Sequence, residues 1–261
     1  MKYEADSPSQ AIAHLGRPYV SVIIPAFNEA TRIIPTLEKV VEHLSAKPYE
    51  WEVIVVDDGS TDATAQIVDD WSNSQPSVRL EKAEHRGKGW AVRRGMLSAT
   101  GAHRLMCDAD LAVPIHWLDR LLEHMDPGCH IVIGSREAAG AKRFDEPRYR
   151  HLMGRVFNWV IKIVAVRGFQ DTQCGFKCFD GHTANELFSL QRNPGMGFDG
   201  EILYLATKKG LKILEMPVEW YHQPESKVRP GVDSLIMIKE TLNIRWNHFR
   251  GFYGRLTRER D

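Results

Sequence analysis

Leu105-Met-Cys-Asp108-Ala-Asp110-Leu-Ala112 is the stretch on which the reading of this chain turns. An apolar run ends in two carboxylates one residue apart. Upstream, Val53-Ile-Val-Val-Asp57-Asp58-Gly-Ser60 does the same. Both runs are short, apolar and bounded by turn residues, the pattern of buried strands. Open α/β sheets place ligand chemistry at the carboxyl ends of their strands. Carboxylates grouped there suit a divalent cation and the ribose and phosphates of a nucleotide. One Asp-x-Asp alone reads as a solvated turn; two acidic clusters at strand ends read as a site.

Working outward, the elements alternate. Residues 19–25 read as a first strand, followed by a helix with Leu37, Val40, Val41 and Leu44 on one face. Strand 52–56 leads into a helix over 62–71, with Ser60 or Thr61 as its cap. Strand 78–81, helix 89–99, strand 103–107, helix 114–125 and strand 130–134 continue the series. This β-α-β-α order predicts an α/β fold with a mostly parallel central sheet covered by helices on both faces. A dinucleotide fold needs Gly-x-Gly-x-x-Gly at the first turn. Pro25-Ala-Phe-Asn-Glu29 stands there instead. Arg86-Gly-Lys-Gly89 likewise lacks the first glycine and the hydroxyl of a P-loop. Further on, residues 149–166 form a helical apolar stripe with basic flanks, and 171–177 a loop entering a short strand. Helices over 182–190 and 200–208, a strand over 213–218 and a helical tail from 234 to 256 complete the pattern.

The chain has 261 residues and equal numbers of basic and acidic side chains, 34 of each, so no bulk attraction to nucleic acid is expected. Positive charge is concentrated over residues 142–155 and in Arg245, Arg250, Arg255, Arg258 and Arg260. Such runs are either solvated helix faces or contacts to phosphate or an anionic membrane surface. Cys107, Cys129, Cys174 and Cys178 lack zinc spacing and read as free thiols. The first ten residues have no apolar core, and no window approaches the ~18 apolar residues of a spanning helix. A cytoplasmic protein with peripheral membrane contact is expected.

Taken together, Ser21-Val-Ile-Ile-Pro-Ala-Phe-Asn-Glu29, Val55-Val-Asp-Asp-Gly-Ser-Thr-Asp62, Arg86-Gly-Lys-Gly-Trp-Ala-Val92 and the Asp-Ala-Asp resemble the family 2 glycosyltransferases of GT-A fold. The resemblance covers nearly the whole chain, from Ser21 to about Tyr253. In the second half, Ile133-Gly-Ser-Arg136, Asp171-Thr-Gln173-Cys-Gly-Phe-Lys177, Gly197-Phe-Asp199-Gly-Glu201 and Glu225-Ser-Lys227 look like dolichyl-phosphate β-glucosyltransferases and their polyprenyl-phosphate relatives. Such enzymes move a hexose from a nucleotide sugar to an isoprenoid phosphate, with inversion.

The resemblance implies a set of roles. Asp110 is the first metal ligand, with Asp108 shared between Mg²⁺ or Mn²⁺ and the ribose. Pro25, Ala26, Glu29, Asp57 and Asp58 form the uracil and ribose pocket of a UDP-sugar, UDP-glucose by the resemblance, and Lys88 approaches the donor between two glycines. In related lipid-phosphate transferases a glutamine two residues beyond the second Asp joins the metal. Ala112 stands there, so a water or another loop supplies that position. A phosphate acceptor, here a polyprenyl or dolichyl phosphate, is already anionic and needs no strong base. Arg136, Lys227 and Arg229 are its candidate anchors. Asp199, beside Glu201, aligns with an acidic motif that supplies the base in hydroxyl-accepting relatives, and here orients the sugar or a basic neighbour. Asp171 and Gln173 contact the hexose.

The implied organisation is an N-terminal extension over 1–18 and a catalytic domain over 19–230, whose nucleotide half ends near 135. An amphipathic tail over 231–261 follows. The stripe over 150–166 and the Trp246, Phe249, Phe252, Tyr253 tail suit interfacial helices, and suit packing against the core equally. Two other readings stand beside the first. One is a GDP-mannose donor, or a soluble or glycan hydroxyl acceptor; the other is a silent nucleotide-sugar binding module.

Overall fold

A computed structural model describes residues 16–125, 128–145, 168–223 and 232–254. In chain order the first half comprises β1 (Val20–Ala26), α1 (Ile33–Ser45), β2 (Trp51–Asp57), α2 (Thr64–Ser72), β3 (Val78–Lys82), α3 (Lys88–Ser98), β4 (His103–Cys107), α4 (Trp117–Glu123) and β5 (Ile131–Ser135). The second half comprises β6 (Lys142–Phe144), β7 (Phe176–Asp180), α5 (Gly181–Leu190), α6 (Phe198–Lys209), β8 (Ile213–Pro217), β9 (Glu219–Tyr221) and α7 (Val232–Phe249).

The layers follow from the two-residue period of the strands. Val22, Ile24, Val53, Val55 and Leu105 pack with Leu37, Val40, Val68 and Leu118 of α1, α2 and α4. Their alternates Ile23, Ile54, Val56 and Met106 pack with Val92, Met96, Leu187 and Ile202 of α3, α5 and α6. A sheet apolar on both faces must be covered on both faces, so the strands become its buried centre. The seven strands run in the order β3-β2-β1-β4-β7-β5-β8. All neighbouring pairs are parallel except those of β7, which runs against both β4 and β5. The expected mostly parallel sheet with helices on both faces is the one observed.

Several local expectations need correction. α2 starts at Thr64 and is not capped by Ser60 or Thr61. The Ser60 hydroxyl accepts instead from the Asn28 amide at 2.8 Å, and Asp62 Oδ1 accepts from Thr64 N at 2.9 Å. α4 is shorter than 114–125, because its ends are tight three-residue turns: Trp117 N bonds Pro114 O and Met125 N bonds Leu122 O. The two-stranded sheet of β6 and β9, with Phe144 stacked on Tyr221 at 4.6 Å, has no counterpart in the sequence reading.

α7 divides the tail into two faces. Met237, Thr241 and Ile244 are buried, whereas Trp246 is 56 % and Phe249 83 % exposed. Tyr253 departs from the interfacial expectation. It is buried, and its hydroxyl donates to Glu201 Oε1 at 2.5 Å. The stripe over 150–166 lies outside the described residues, as do Arg255, Arg258 and Arg260.

Candidate active site

β1, β2 and β4 end at one side of the sheet, and the start of α3 lies beside them. Together with α7 they enclose a cleft of about 520 Å³, within the range of small-molecule sites. Pro25, Ala26, Glu29, Asp58, Lys88, Asp108 and Asp110 all line it. The structure therefore brings most of the sequence-selected nucleotide residues to one cavity.

Asp57 and Asp58 are chain neighbours with different surroundings. Asp58 is anchored: its oxygens accept from Arg86 N at 3.0 Å, Gly87 N at 2.9 Å and His85 Nδ1 at 2.8 Å. It therefore holds the 85–87 turn in place. His85 in turn stacks on Phe27 at 4.2 Å, making a flat aromatic wall at the cleft. Asp57 Oδ2 accepts from Ser60 N at 3.1 Å, while its buried Oδ1 has no hydrogen-bond partner among the described residues. Glu29 is ion-paired with Arg32.

Asp108 and Asp110 stand on the far side. Lys88 Nζ lies 2.5 Å from Asp108 Oδ1. Desolvation lowers the pKa of this ammonium, but Asp108, Asp199 and Asp110 more than offset that and raise it overall, so it stays charged at neutral pH. Asp110 Oδ1 accepts from Ala112 N at 3.0 Å, so residue 112 contributes its backbone here. Burial, and then the charge of Asp108, push the Asp110 carboxyl upward. Gly175 is pressed against Asp108: a Cβ there would run into its carboxylate.

Two like-charged carboxylates sharing one cleft are a hard-oxygen donor set short of positive charge, which a divalent cation fits. No three His, Cys, Asp or Glu side chains converge among the described residues. A cation on Asp108 and Asp110 would therefore complete its shell from phosphate and water, as Mg²⁺ commonly does.

The second-half residues have structural partners of their own. Arg136 is bound to Asp171 in a fork, Nε to Oδ2 at 2.7 Å and Nη2 to Oδ1 at 2.9 Å. Asp171 is fully buried, and despite that burial Arg136 holds its carboxyl well below the usual carboxylate range. Gln173 donates its backbone N–H to Asp171 Oδ1 and is not part of the cleft wall. Asp199 is buried at the start of α6, and Lys177 Nζ donates to its Oδ1 at 2.5 Å and to Cys174 O at 2.6 Å. Lys227 and Arg229 lie outside the described residues.

Other wall residues were not singled out in the sequence. Ile236, Met237 and Glu240 come from α7, and Met196 from the loop before α6. An apolar period identifies α7 as a helix but carries no information about where it docks. Lys177 closes the Asp171–Lys177 motif quoted above, but nothing local in the sequence gave it a partner.

Residues 21–184 match the family model described as glycosyl transferase family 2. The chain is 36 % identical over 251 residues to the dolichyl-phosphate beta-glucosyltransferase of Dictyostelium discoideum, covering 90 % of this chain and 76 % of the relative. The dolichyl-phosphate beta-glucosyltransferase of Homo sapiens is 31 % identical over 261 residues, with 94 % and 78 % covered. Among solved structures, Mycobacterium tuberculosis glucosyl-3-phosphoglycerate synthase, in complex with Mn²⁺, UDP-glucose and phosphoglyceric acid, superposes with a TM-score of 0.66. Its identity is 20 %, and 93 % of this chain and 85 % of that one are covered, a likeness of fold.

Proposed function

The chain belongs to glycosyl transferase family 2 and groups with the dolichyl-phosphate beta-glucosyltransferases; from that premise we propose that it moves glucose from UDP-glucose to a polyprenyl or dolichyl phosphate, with inversion. The observation that carries the acceptor class is the state of Asp199. An inverting transfer to a sugar hydroxyl needs a carboxylate free to take a proton. Asp199 is buried, off the cleft wall, and bound to the Lys177 ammonium. A phosphate oxygen is already a nucleophile at neutral pH and makes no such demand.

In this reading the uracil enters between the Phe27–His85 wall and the ends of β1 and β2. Glu29 lines the ribose side of the cleft, and Asp57, buried behind the wall, holds the Ser60 amide and so the turn after β2. Asp108 and Asp110 hold Mg²⁺ or Mn²⁺, which when bound supplies charge neutralisation to the departing diphosphate. Lys88 adds a second positive charge at the same place, where negative charge grows as the glycosidic bond breaks. Arg136, stiffened by Asp171, is the acceptor-phosphate anchor of this reading, with Lys227 and Arg229 as further candidates from the sequence alone.

Purified protein, labelled UDP-glucose and polyprenyl phosphate should yield metal-dependent label in the organic phase. Label from GDP-mannose instead would change the donor. Label only on a water-soluble acceptor would remove the lipid from this reading.

The acceptor implies contact with a membrane surface. No helix among the described residues is long and apolar enough to cross one. The outer face of α7 carries Trp246 and Phe249, and the Arg250 guanidinium lies 5.9 Å from the Trp246 ring and 5.3 Å from that of Phe252. Aromatic rings beside basic groups suit the headgroup level of a bilayer. Burying one such ring contributes about 1.5–3 kcal/mol. Trp246→Ser with Phe249→Ser should therefore lower the fraction floating with anionic liposomes at least about tenfold. Unchanged flotation would move the contact elsewhere on the chain.

A further inference from the structure

We propose that Glu240 of α7 is a positioning residue, which sets Lys88 against Asp108 through the loop over 193–197; its kinetic part rests on the donor reading above. The loop is held from both sides. On one side Glu240 Oε2 accepts from Gly197 N at 2.7 Å. The Glu240 carboxylate lies so close to Gly195 that a Cβ there would collide with it. On the other side Pro194 O accepts from Trp90 N at 3.0 Å, inside the first turn of α3. The buried Gln191 amide joins the two backbones, donating to Gly89 O at 2.9 Å and Asn193 O at 2.7 Å.

Lys88 directly precedes the clamped Gly89 and Trp90, with its ammonium 2.5 Å from Asp108. A shift of the loop is therefore handed to Lys88, which lines the cleft. A glutamate on the inner side of a helix also has a cost, since burial pushes its carboxyl upward. Its ligands here are the Gly197 N–H and the Asn193 side chain. Through that contact the 193–197 loop couples α7 to the start of α3 and so to the donor site.

The test uses the full chain as wild type, Glu240→Ala, Glu240→Gln and Gly195→Ala. Amide hydrogen exchange is followed over residues 86–92 and 193–199, alongside steady-state transfer from UDP-glucose. In Glu240→Ala, exchange should quicken at least about tenfold in both segments. The value of kcat should fall about ten- to a hundredfold, the scale of a misplacement near 1 Å, with KM for the lipid acceptor unchanged. Gln should restore both readouts, because its amide oxygen still accepts the Gly197 N–H. Gly195→Ala should reproduce the defect by forcing the carboxylate away, and serves if the Glu240→Ala protein does not fold.

Faster exchange confined to 193–199 with kcat unchanged would overturn the proposal. So would a Gln variant as impaired as Ala, because the charge itself would then be what matters. If the wild type transfers nothing from UDP-glucose, the donor reading fails, while the exchange pattern still decides whether Glu240 clamps the start of α3.

Discussion

Asp110→Asn is expected to lower transfer by about three orders of magnitude, with the fold intact. A metal-held diphosphate draws several kcal/mol of transition-state stabilisation from its cation, and each ~1.4 kcal/mol is tenfold in rate. Asparagine keeps the size of the side chain and keeps an oxygen for Ala112 N, the hydrogen bond Asp110 makes in the structure. It removes the charge. The melting temperature should not fall, since burial and Asp108 both disfavour the ionised Asp110 carboxyl. Chelation of divalent ions should reduce the wild type to a similar rate and leave the variant where it is. A variant retaining more than about a tenth of wild-type transfer would remove Asp110 from the metal site and the cation from the mechanism.

The second large effect is on stability. Lys177 is 1 % exposed, and its ammonium is shared between Asp199 and Cys174 O. Lys177→Met leaves a carboxylate buried without its partner, which costs about 3–5 kcal/mol. Replacing both, Lys177→Met with Asp199→Leu, should recover most of that loss, since an apolar pair of similar volume often matches a buried ion pair. Denaturant titration of the three proteins reads this directly.

The pH dependence has a definite sign. Burial raises the Asp199 carboxyl against the pull of Lys177 and Lys88, above the unfolded value of about 3.9. A carboxyl raised on folding binds its proton more tightly in the native state. Stability then falls as pH rises from about 4 through the folded value, and the penalty is complete above it. Without Lys177 the folded value climbs further. The deficit of Lys177→Met should therefore be largest at neutral pH and shrink toward pH 4. A deficit under about 1 kcal/mol at neutral pH would mean that Asp199 is already protonated there.

How much of this was legible follows from the range of each interaction. Asp108, Asp110, Asp57 and Asp58 were visible because each pair directly follows an apolar run, and strand ends are local facts. Lys88 was visible through its two flanking glycines. That Asp57 and Asp58 would differ, one with an oxygen unpartnered among the described residues and one holding the 85–87 turn, was not visible. Their partners lie up to 29 residues away, and alternation says only that neighbours point apart. The cap of α2 was misassigned for a similar reason: the Ser60 hydroxyl binds Asn28, 32 residues earlier.

The second half shows the limit more clearly. Arg136 and Asp171 were both picked out, as acceptor anchor and hexose contact, and the structure joins them to each other across 35 residues. Asp199 was read as orienting the sugar or a basic neighbour, and no neighbour was named. Lys177, 22 residues away on an antiparallel strand, is that neighbour. The tail suited a bilayer surface and the core equally, and Tyr253 takes the second course, turning inward to Glu201.

The amino-acid sequence by itself determined the two-faced sheet, the parallel order of the first half and the delivery of four carboxylates to strand ends. These depend on periodicities of two and about four residues, which are written in consecutive positions. Only the tertiary structure decided which of those charges are spent on partners and which face the cleft, and that α7 forms its far wall. Ion pairs and helix docking are set by distance in space, and residues such as Gly197 and Glu240, 43 positions apart, carry no mark of each other in the chain.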